Sequence, residues 1–301
     1  MQIGVIGAGS IGLLYACYLS IYHQVTIYTR RKDQARQINS KGIQLIKSGV
    51  QSTYKVTAKV LDDGLEHEDL IIVTVKEYHL DRVLNTTNQF RNVNALLFLQ
   101  NGMKHISLFE KLNNEVILVG VVEHGALKIN DYTVNHTGVG ITKICSFRNG
   151  EGVIQSFQKG QHSDFGVLVA EDWYKVLSEK LIVNAVINPL TALYCVENGD
   201  LLSNRFFLSR MKNLFIEVTS VMNVNTTNMW ERLEHICIQT KNNRSSMLRD
   251  IESGRQTEID AILGYIIAEA DKMGKSVPVS TFLYDSIKGK ELQRGDSSCH
   301  S

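Results

Sequence analysis

Five short runs of apolar, largely β-branched residues open the chain, and helical stretches separate them. They run from Gln2 to Ile6, Gln24 to Thr29, Leu70 to Val75, Ala95 to Leu99 and Val116 to Val122. Continuous apolar runs of this length suit strands buried on both faces, the pattern of a parallel sheet covered by helices. From about residue 124 to 169 the rhythm changes to short alternating segments punctuated by glycine, such as YTVNHTGVGITKI, which predict antiparallel hairpins closing the sheet. From Glu171 onward the spacing is helical almost throughout. The pieces are WYKVLSEKLIVNAVINPLTALY, the stretch from Leu208 to Val224, a long segment from Asn242 to Gly274, and a short last helix near Phe282.

Length and charge narrow the class. The 301 residues correspond to two domains at about 150 residues each. Lys+Arg 32 against Asp+Glu 31 leaves a net charge of +1, which removes the broad electrostatic footprint of a nucleic-acid binder. Any anion site is therefore local. The apolar N-terminus lacks a basic leading region and carries glycines where an export signal has a plain apolar core, and no stretch of about 18 residues is uninterruptedly apolar, so neither export nor a membrane span is expected. Cys17, Cys145, Cys195, Cys237 and Cys299 are scattered, without a CxxC pair, and the histidines show no metal-ligand spacing. This fits a cytoplasmic protein with no metal.

The first strand runs directly into Gly7-Ala8-Gly9-Ser10-Ile11-Gly12, and a helical pattern follows at once. In that strand-turn-helix context Gly7 permits the tight turn, Gly9 lets backbone approach a pyrophosphate, and Gly12 allows close helix-to-strand packing. The fold class that follows is α/β: an N-terminal Rossmann-like doubly wound parallel sheet over residues 1–169, and a second, all-helical domain over 170–301. An acidic residue at the end of the second strand bonds a ribose 2′-hydroxyl, whereas a basic one accommodates a 2′-phosphate. Here the strand ends Tyr28-Thr29-Arg30-Arg31-Lys32, which favours NADP(H), with Arg30 the first candidate and Lys76 a second cation at the same sheet edge.

In the helix that opens the second domain, Lys180, Asn184 and Asn188 recur at i, i+4 and i+8 and share one face. Pro189 follows at once and bends such a helix. A lysine whose pKa is lowered by partial burial is a suitable general acid for carbonyl reduction, and Lys180 is that candidate. The segment from Asn243 to Asp250, with Ser245 and Ser246, offers hydroxyl and amide donors for a carboxylate, although Ser245 also suits a helix cap. Thr257-Glu258-Ile259-Asp260 offers acceptors for a hydroxyl.

Taken in order and spacing, GAGSIG, TRR, the lysine of VTVK, LQNG, WYK, NAVINPLTAL, NRSSML followed by Arg249-Asp250, and TEIDAI make the chain similar to the ketopantoate reductases over nearly its whole length. That resemblance implies NADPH-dependent reduction of 2-dehydropantoate to (R)-pantoate in pantothenate and coenzyme A biosynthesis. It implies Lys180 as proton donor, and Asn184, Asn188, Asn198, Asn243, Ser245 and Ser246 as substrate contacts. On the cofactor side it implies residues 7–12, Arg30, Lys76, Asn101 near the nicotinamide ribose, Gly125 over the nicotinamide, and Glu258 on a substrate hydroxyl or cofactor ribose. A cleft between the domains would then hold the small 2-oxo acid.

The chain departs from the pattern at His23-Gln24, where a glycine is usual, and at Arg244, which either tightens carboxylate binding or faces solvent. His136 reads as structural. Two alternatives stand beside this reading: a related NADP-dependent 2-oxo or hydroxy-acid dehydrogenase with another substrate, and a non-catalytic NADP(H)-sensing protein. The apolar stretch from Ala261 to Ala270 exceeds one helix face, which points to a homodimer through the helical domain.

Overall fold

A computed structural model describes residues 1–85, 90, 93–158, 162–222 and 224–295. Cys299 lies outside them. The chain divides into two compact units, one of residues 1–100 and 105–176, the other of residues 101–104 and 177–301. The boundary expected at residues 169 and 170 falls just before the helix Trp173–Tyr194, and the division falls within the first turn of that helix.

The first unit holds an eight-stranded sheet. Its parallel strands are β1 (Gln2–Ile6), β2 (Gln24–Thr29), β5 (Thr57–Val60), β6 (Leu70–Val73), β7 (Ala95–Phe98) and β8 (Val116–Val122), in the spatial order β5-β2-β1-β6-β7-β8. Next to β8 come β11 (Ile141–Arg148), antiparallel to it, and β12 (Gly166–Val169), parallel to β11. The helices α1 (Ser10–Leu19), α2 (Lys32–Lys41), α3 (Leu80–Asn85) and α4 (Glu151–Gln158) complete the unit. The expected apolar runs are the central strands because burial on both faces leaves no polar alternation; β6 and β7 are fully buried along their length. They end at Val73 and Phe98, short of the expected Val75 and Leu99, since the chain turns away at the sheet edge.

The hairpin expectation needs correction. Only β11 and β12 extend the main sheet. β9 (Gly125–Lys128) and β10 (Thr133–Gly138) instead join β3 (Ile43–Lys47) and β4 (Val50–Tyr54) in a separate sheet of order β4-β3-β10-β9. Aromatic rings tie this small sheet to α1. The Tyr18 hydroxyl bonds His136 Nδ1 at 2.8 Å, and His136 Nε2 stands 3.3 Å from His124 Nδ1. The Gly140 amide also donates to His124 Nδ1, at 3.1 Å, so that nitrogen is the acceptor and the proton of a neutral His124 sits on Nε2. His136 is accordingly a member of a packed relay, as its structural reading anticipates.

The second unit is helical: α5 (Trp173–Tyr194, from Leu177 onward), α6 (Asp200–Ser203), α7 (Arg205–Met222), α8 (Thr226–Gln239), α9 (Ser246–Glu252), α10 (Ile259–Lys272) and α11 (Pro278–Gly295). The segment expected to run as one from Asn242 to Gly274 is broken between α9 and α10, where Gly254 takes φ +64°. The last helix spans 18 residues, longer than expected, and Glu217 caps its start through the amides of Val279 and Ser280. The apolar excess of residues 261–270 is used within the chain: α10 packs against α7 and α11, burying Ala261, Ile262, Leu263, Ile266 and Ala270. That stretch is therefore not an exposed face. α5 is long and apolar enough on average to cross a membrane, and 67% of its most apolar window is buried inside the protein.

Two buried imidazoles in the first unit set a pH dependence. Burial among Phe98 and Phe109 holds His105 down to about 3, and burial, then the neighbouring His136, holds His124 down to about 4. Both are neutral when folded and take up a proton in the unfolded chain below about pH 6.5. Their stabilisation is complete above that pH. It is lost as pH falls from 6.5 towards the folded values, by about 1.4 kcal/mol per pH unit for each group. Urea midpoints measured from pH 7.5 to 4.5 should fall with that slope, and His105→Phe should flatten it; an unchanged slope in the variant would show that His105 is not held neutral.

Candidate active site

In the first unit, the cross-strand row Tyr28, Ile6, Val73 and Phe98 marks the carboxyl edge of the sheet. The chain leaves β1 through Gly7, at φ +105°, a conformation that favours glycine. Gly12 meets a different demand: a Cβ there would stand 1.7 Å from the Gly7 carbonyl oxygen and 2.7 Å from Thr74 Oγ1. Gly9 is the opposite case, since a Cβ would meet nothing within 4 Å. Its smallness serves no contact within the chain. The Ala8 carbonyl accepts from Gln34 Nε2 at 2.9 Å and from Lys128 Nζ at 3.2 Å, which fixes the turn to α2 and β9. Gly9 caps α1, and no side chain caps that helix start. An open face at Gly9 beside the uncapped amides of Ser10 and Ile11 fits a pyrophosphate, as the helix dipole requires.

Beyond β2 the three cations part company. Arg31 pairs with Asp131, as does Lys128 at 3.2 Å, and Lys32 begins α2. Arg30 is exposed and forms no ion pair among the described residues. It faces the helical turn after β6: His79 is pushed below its ordinary value, first by desolvation, then by Arg30, Arg82 and Lys76. Arg30 and Lys76 thus belong to one electropositive group with Arg82 and His79. Sequence reasoning missed the last two, although KEYHLDR directly follows the strand that supplied Lys76. Gly125 has an internal reason to be small, because a Cβ would lie 2.8 Å from Thr137 Oγ1 across the hairpin.

Gln100, also missed, follows β7. Its Nε2 donates to the carbonyls of Val73 and Val75, each at 3.0 Å, and no donor among the described residues reaches its buried Oε1.

In the second unit, Lys180, Asn184 and Asn188 lie on α5 at the predicted spacing, Lys180 and Asn184 half-buried and Asn188 buried. Hydrogen bonds knit the end of α5 to the other predicted contacts. Thr191 Oγ1 lies 3.0 Å from the Asn188 carbonyl and 2.8 Å from Ser245 Oγ, and Ser245 Oγ accepts from the Leu248 amide at 3.1 Å. Ser245 is thus the cap of α9. Ser246, Asn243 and Arg244 are exposed, and Arg244 pairs with Glu252. Asn198 donates its amide N–H to the Asn243 carbonyl at 3.0 Å and its Nδ2 to Thr240 Oγ1 at 2.9 Å. Its Oδ1 is buried with no donor among the described residues. Thr191 is a joint that sequence reasoning did not find, because nothing in its local pattern marks a hydroxyl bonded to residue 245.

The TEID segment separates into anchors and a buried carboxylate. Thr257 donates through Oγ1 to Glu291 at 2.7 Å. Asp260 accepts from Tyr284 at 2.7 Å and pairs with Lys288 at 3.1 Å. Burial alone would raise the Asp260 carboxyl, yet these two partners hold it below its ordinary value. Glu258, between the anchors, accepts from Asn101 Nδ2 at 3.0 Å. The chain at Asn101 lies close against α10: Gly102 has φ +81°, and a Cβ there would stand 2.2 Å from the Ala261 carbonyl oxygen.

The model of ketopantoate reductase PanE/ApbA matches residues 3–152, and that of the ketopantoate reductase PanE/ApbA C terminal matches residues 172–291. The chain is 45% identical over 295 residues to 2-dehydropantoate 2-reductase of Bacillus subtilis (strain 168), covering 97% of this chain and 98% of that one. It is 37% identical to 2-dehydropantoate 2-reductase of Listeria monocytogenes, with 97% of each covered. A crystal structure of probable 2-dehydropantoate 2-reductase from Bacillus subtilis superposes with a TM-score of 0.88 at 43% identity, covering 96% of this chain and 100% of that one. A ternary structure of D-mandelate dehydrogenase with NADH and anilino(oxo)acetate shares the fold, with a TM-score of 0.90 at 21% identity, covering 98% of this chain and 100% of that one. With both family models and a whole-length relationship of this strength, the chain belongs to the ketopantoate reductase family of oxidoreductases.

Proposed function

We propose that the protein reduces 2-dehydropantoate to (R)-pantoate with NADPH, as a cytoplasmic enzyme of pantothenate and coenzyme A biosynthesis. The observation that carries this reading is the hydrogen-bonded assembly on the helical unit, in which the row Lys180, Asn184 and Asn188 is joined through Thr191 and Ser245 to the segment that holds Asn198. The names of the whole-length relatives supply the substrate. The free thiols of Cys17, Cys145, Cys195 and Cys237 accord with a reducing compartment. A neighbour of the same fold titled as a dimeric ketopantoate reductase from Staphylococcus aureus supports a homodimer.

NADPH, when bound, would supply the hydride for the ketone carbon. As that carbon accepts the electron pair, the carbonyl pair moves onto oxygen, which takes a proton from Lys180 Nζ and becomes the alcohol. Asn184 and Asn188 hold the polar groups of the substrate, and Asn198 is a further substrate contact. Ser246, Asn243 and the cap at Ser245 form the carboxylate end; of the two serines, Ser246 has the exposed hydroxyl. Residues 7–12 hold the pyrophosphate, Arg30 and Lys76 hold the 2′-phosphate, and Gly125 leaves room for the nicotinamide. Asn101 and Glu258, bonded to each other, take the ribose hydroxyls.

Loss of NADPH absorbance on adding 2-dehydropantoate to the purified protein tests the reading, with NADH and 2-oxoisovalerate run alongside. Rapid oxidation of NADPH specific to 2-dehydropantoate is expected; NADPH binding with turnover only on another 2-oxo acid would assign a different substrate, and binding without turnover on any would mark a sensor. Lys180→Ala should lower turnover by about 10²- to 10⁴-fold, and near-normal turnover with substrate affinity intact would remove Lys180 as the acid. Arg30→Asp should cut the preference for NADPH over NADH by at least about tenfold, the value of a charge-assisted hydrogen bond. An unchanged ratio would show that another residue reads the 2′-phosphate.

A further inference from the structure

Tyr18, His136 and His124, all in the first unit, form a hydrogen-bonded chain whose direction is fixed. Both imidazoles are buried. Burial is the main cause that holds each below the ordinary histidine value, partly offset at His136 by the Gly138 carbonyl, so near neutral pH each ring carries one proton. The Gly140 amide donates to His124 Nδ1, which is therefore an acceptor. His136 Nε2 lies 3.3 Å from the same nitrogen and would set a second lone pair against it unless it carried the hydrogen. Nε2 is thus the protonated nitrogen of His136, its Nδ1 is an acceptor, and the 2.8 Å bond to Tyr18 is donated by the Tyr18 hydroxyl. The chain runs one way, from Tyr18 through His136 to His124.

The end of that chain lies at a sheet position of consequence. Val119 of β8 stands opposite Phe98, in the row that marks the carboxyl edge. His124 and Gly125 follow β8, so they lie past that edge, while Arg30 lies past β2 on the other side of β1. Backbone packs tightly here: a Cβ at Gly140 would stand 2.4 Å from the Glu123 carbonyl oxygen. Opposite, β10 shifts register between His136 and Gly138. His136 faces Ala126 and Gly138 faces Gly125, which makes Thr137 the extra residue of a bulge. A bulge bends its strand and re-aims what the strand carries. His136 begins this bulge, and its ring reaches across to His124, the neighbour of Gly125. A dinucleotide laid across the switch between β1 and β6 with its 2′-phosphate at Arg30 sends its nicotinamide half towards β7 and β8.

We propose that His136 is a positioning residue for the cofactor: its Nε2–H, oriented by Tyr18, holds His124 and with it the segment at Gly125 in the form that admits the nicotinamide. The inference rests on the cofactor reading above. It gives the imidazole a role that packing alone does not need, since it depends on one ring nitrogen and not on the filled volume.

Calorimetric titration of the full-length wild type, His136→Gln and His136→Asn separates the two nitrogens. The glutamine amide stands two bonds past Cγ, as Nε2 does, and its N–H replaces the bond to His124. The asparagine amide stands one bond past Cγ, as Nδ1 does, and reaches Tyr18 only. The ligands are NADPH and 2′-phospho-ADP-ribose, which lacks the nicotinamide. His136→Asn should bind NADPH about tenfold more weakly and 2′-phospho-ADP-ribose within about twofold of wild type, whereas His136→Gln should bind both within about twofold. Unchanged NADPH binding by the asparagine variant, equal loss in both variants, or equal loss for both ligands would overturn the proposal. If either variant does not fold, wild-type protein with ¹⁵N-labelled imidazoles provides the measurement. His136 should carry its hydrogen on Nε2, and the ring signals of His124 and His136 should shift with NADPH and stay in place with 2′-phospho-ADP-ribose. A hydrogen on His136 Nδ1, or the same response to both ligands, would overturn the proposal. Failure of wild-type protein to bind either ligand would instead overturn the cofactor reading, and this inference with it.

Discussion

The contact between Gly12 and the Gly7 carbonyl is the constraint on which the first unit depends. A Cβ at residue 12 would stand 1.7 Å from that oxygen, so helix and strand approach more closely than any side chain allows. Overpacking at such a point displaces backbone, at a cost typically of about 1–3 kcal/mol or more. The closeness is then locked from the neighbouring strand, where Thr74 contributes both its amide and its hydroxyl to the Ile6 carbonyl. Gln100 adds the third strand by holding Val73 and Val75. Three strand ends and one helix start thus share one set of hydrogen bonds, and Gly9, the position that takes no part in this packing, is the one left open.

The helical unit solves a different problem, holding polar groups on an otherwise buried helix. α5 ends beside Cys195, in the left-handed region at φ +58°, and Lys290 Nζ donates to the Ala192 and Leu193 carbonyls at 3.1 and 2.9 Å. These two devices satisfy helix-end carbonyls that would otherwise be unpaired. Thr191 then couples the same end to the cap of α9. The row from Lys180 to Asn188 is held at its carboxyl end by α9 and α11 together, so its spacing does not depend on the helix alone.

Much of this was legible before the structure because the relevant signals are local. A strand entering GAGSIG, and a polar residue every fourth position in an apolar helix, are visible within 20 residues of sequence. The strands β3, β4 and β5 escaped because they lie in the second sheet or at the edge of the main one. Their side chains alternate or are largely exposed, as VQSTY is up to Tyr54, and no continuous apolar run forms. β9 and β10 were read as strands, but assigning their partners requires knowing that residues 43–47 are also a strand. Gln100, Thr191 and Arg82 are ordinary polar residues in a sequence. What distinguishes Gln100 and Thr191 is a hydrogen-bond partner far along the chain and the burial that only folding creates; Arg82 is distinguished by the cations gathered around His79.

The separation of Arg30 from Arg31 shows how a chain of almost zero net charge keeps a strong local preference. Adjacent residues on an extended backbone point to opposite sides. Arg31 turns to Asp131, whose carboxyl is raised by burial but held below its ordinary value by Arg31 and Lys128, and those charges offset one another. Arg30 turns to Lys76, Arg82 and the His79 ring, where like charges oppose protonation of the imidazole. Cations gathered in this way repel one another, and an anion of two charges relieves that repulsion as well as forming its own bonds. Because Arg30 is exposed, that preference costs the fold little. The charge at the end of β2 is therefore free to change, whereas the glycine contact one strand away is not.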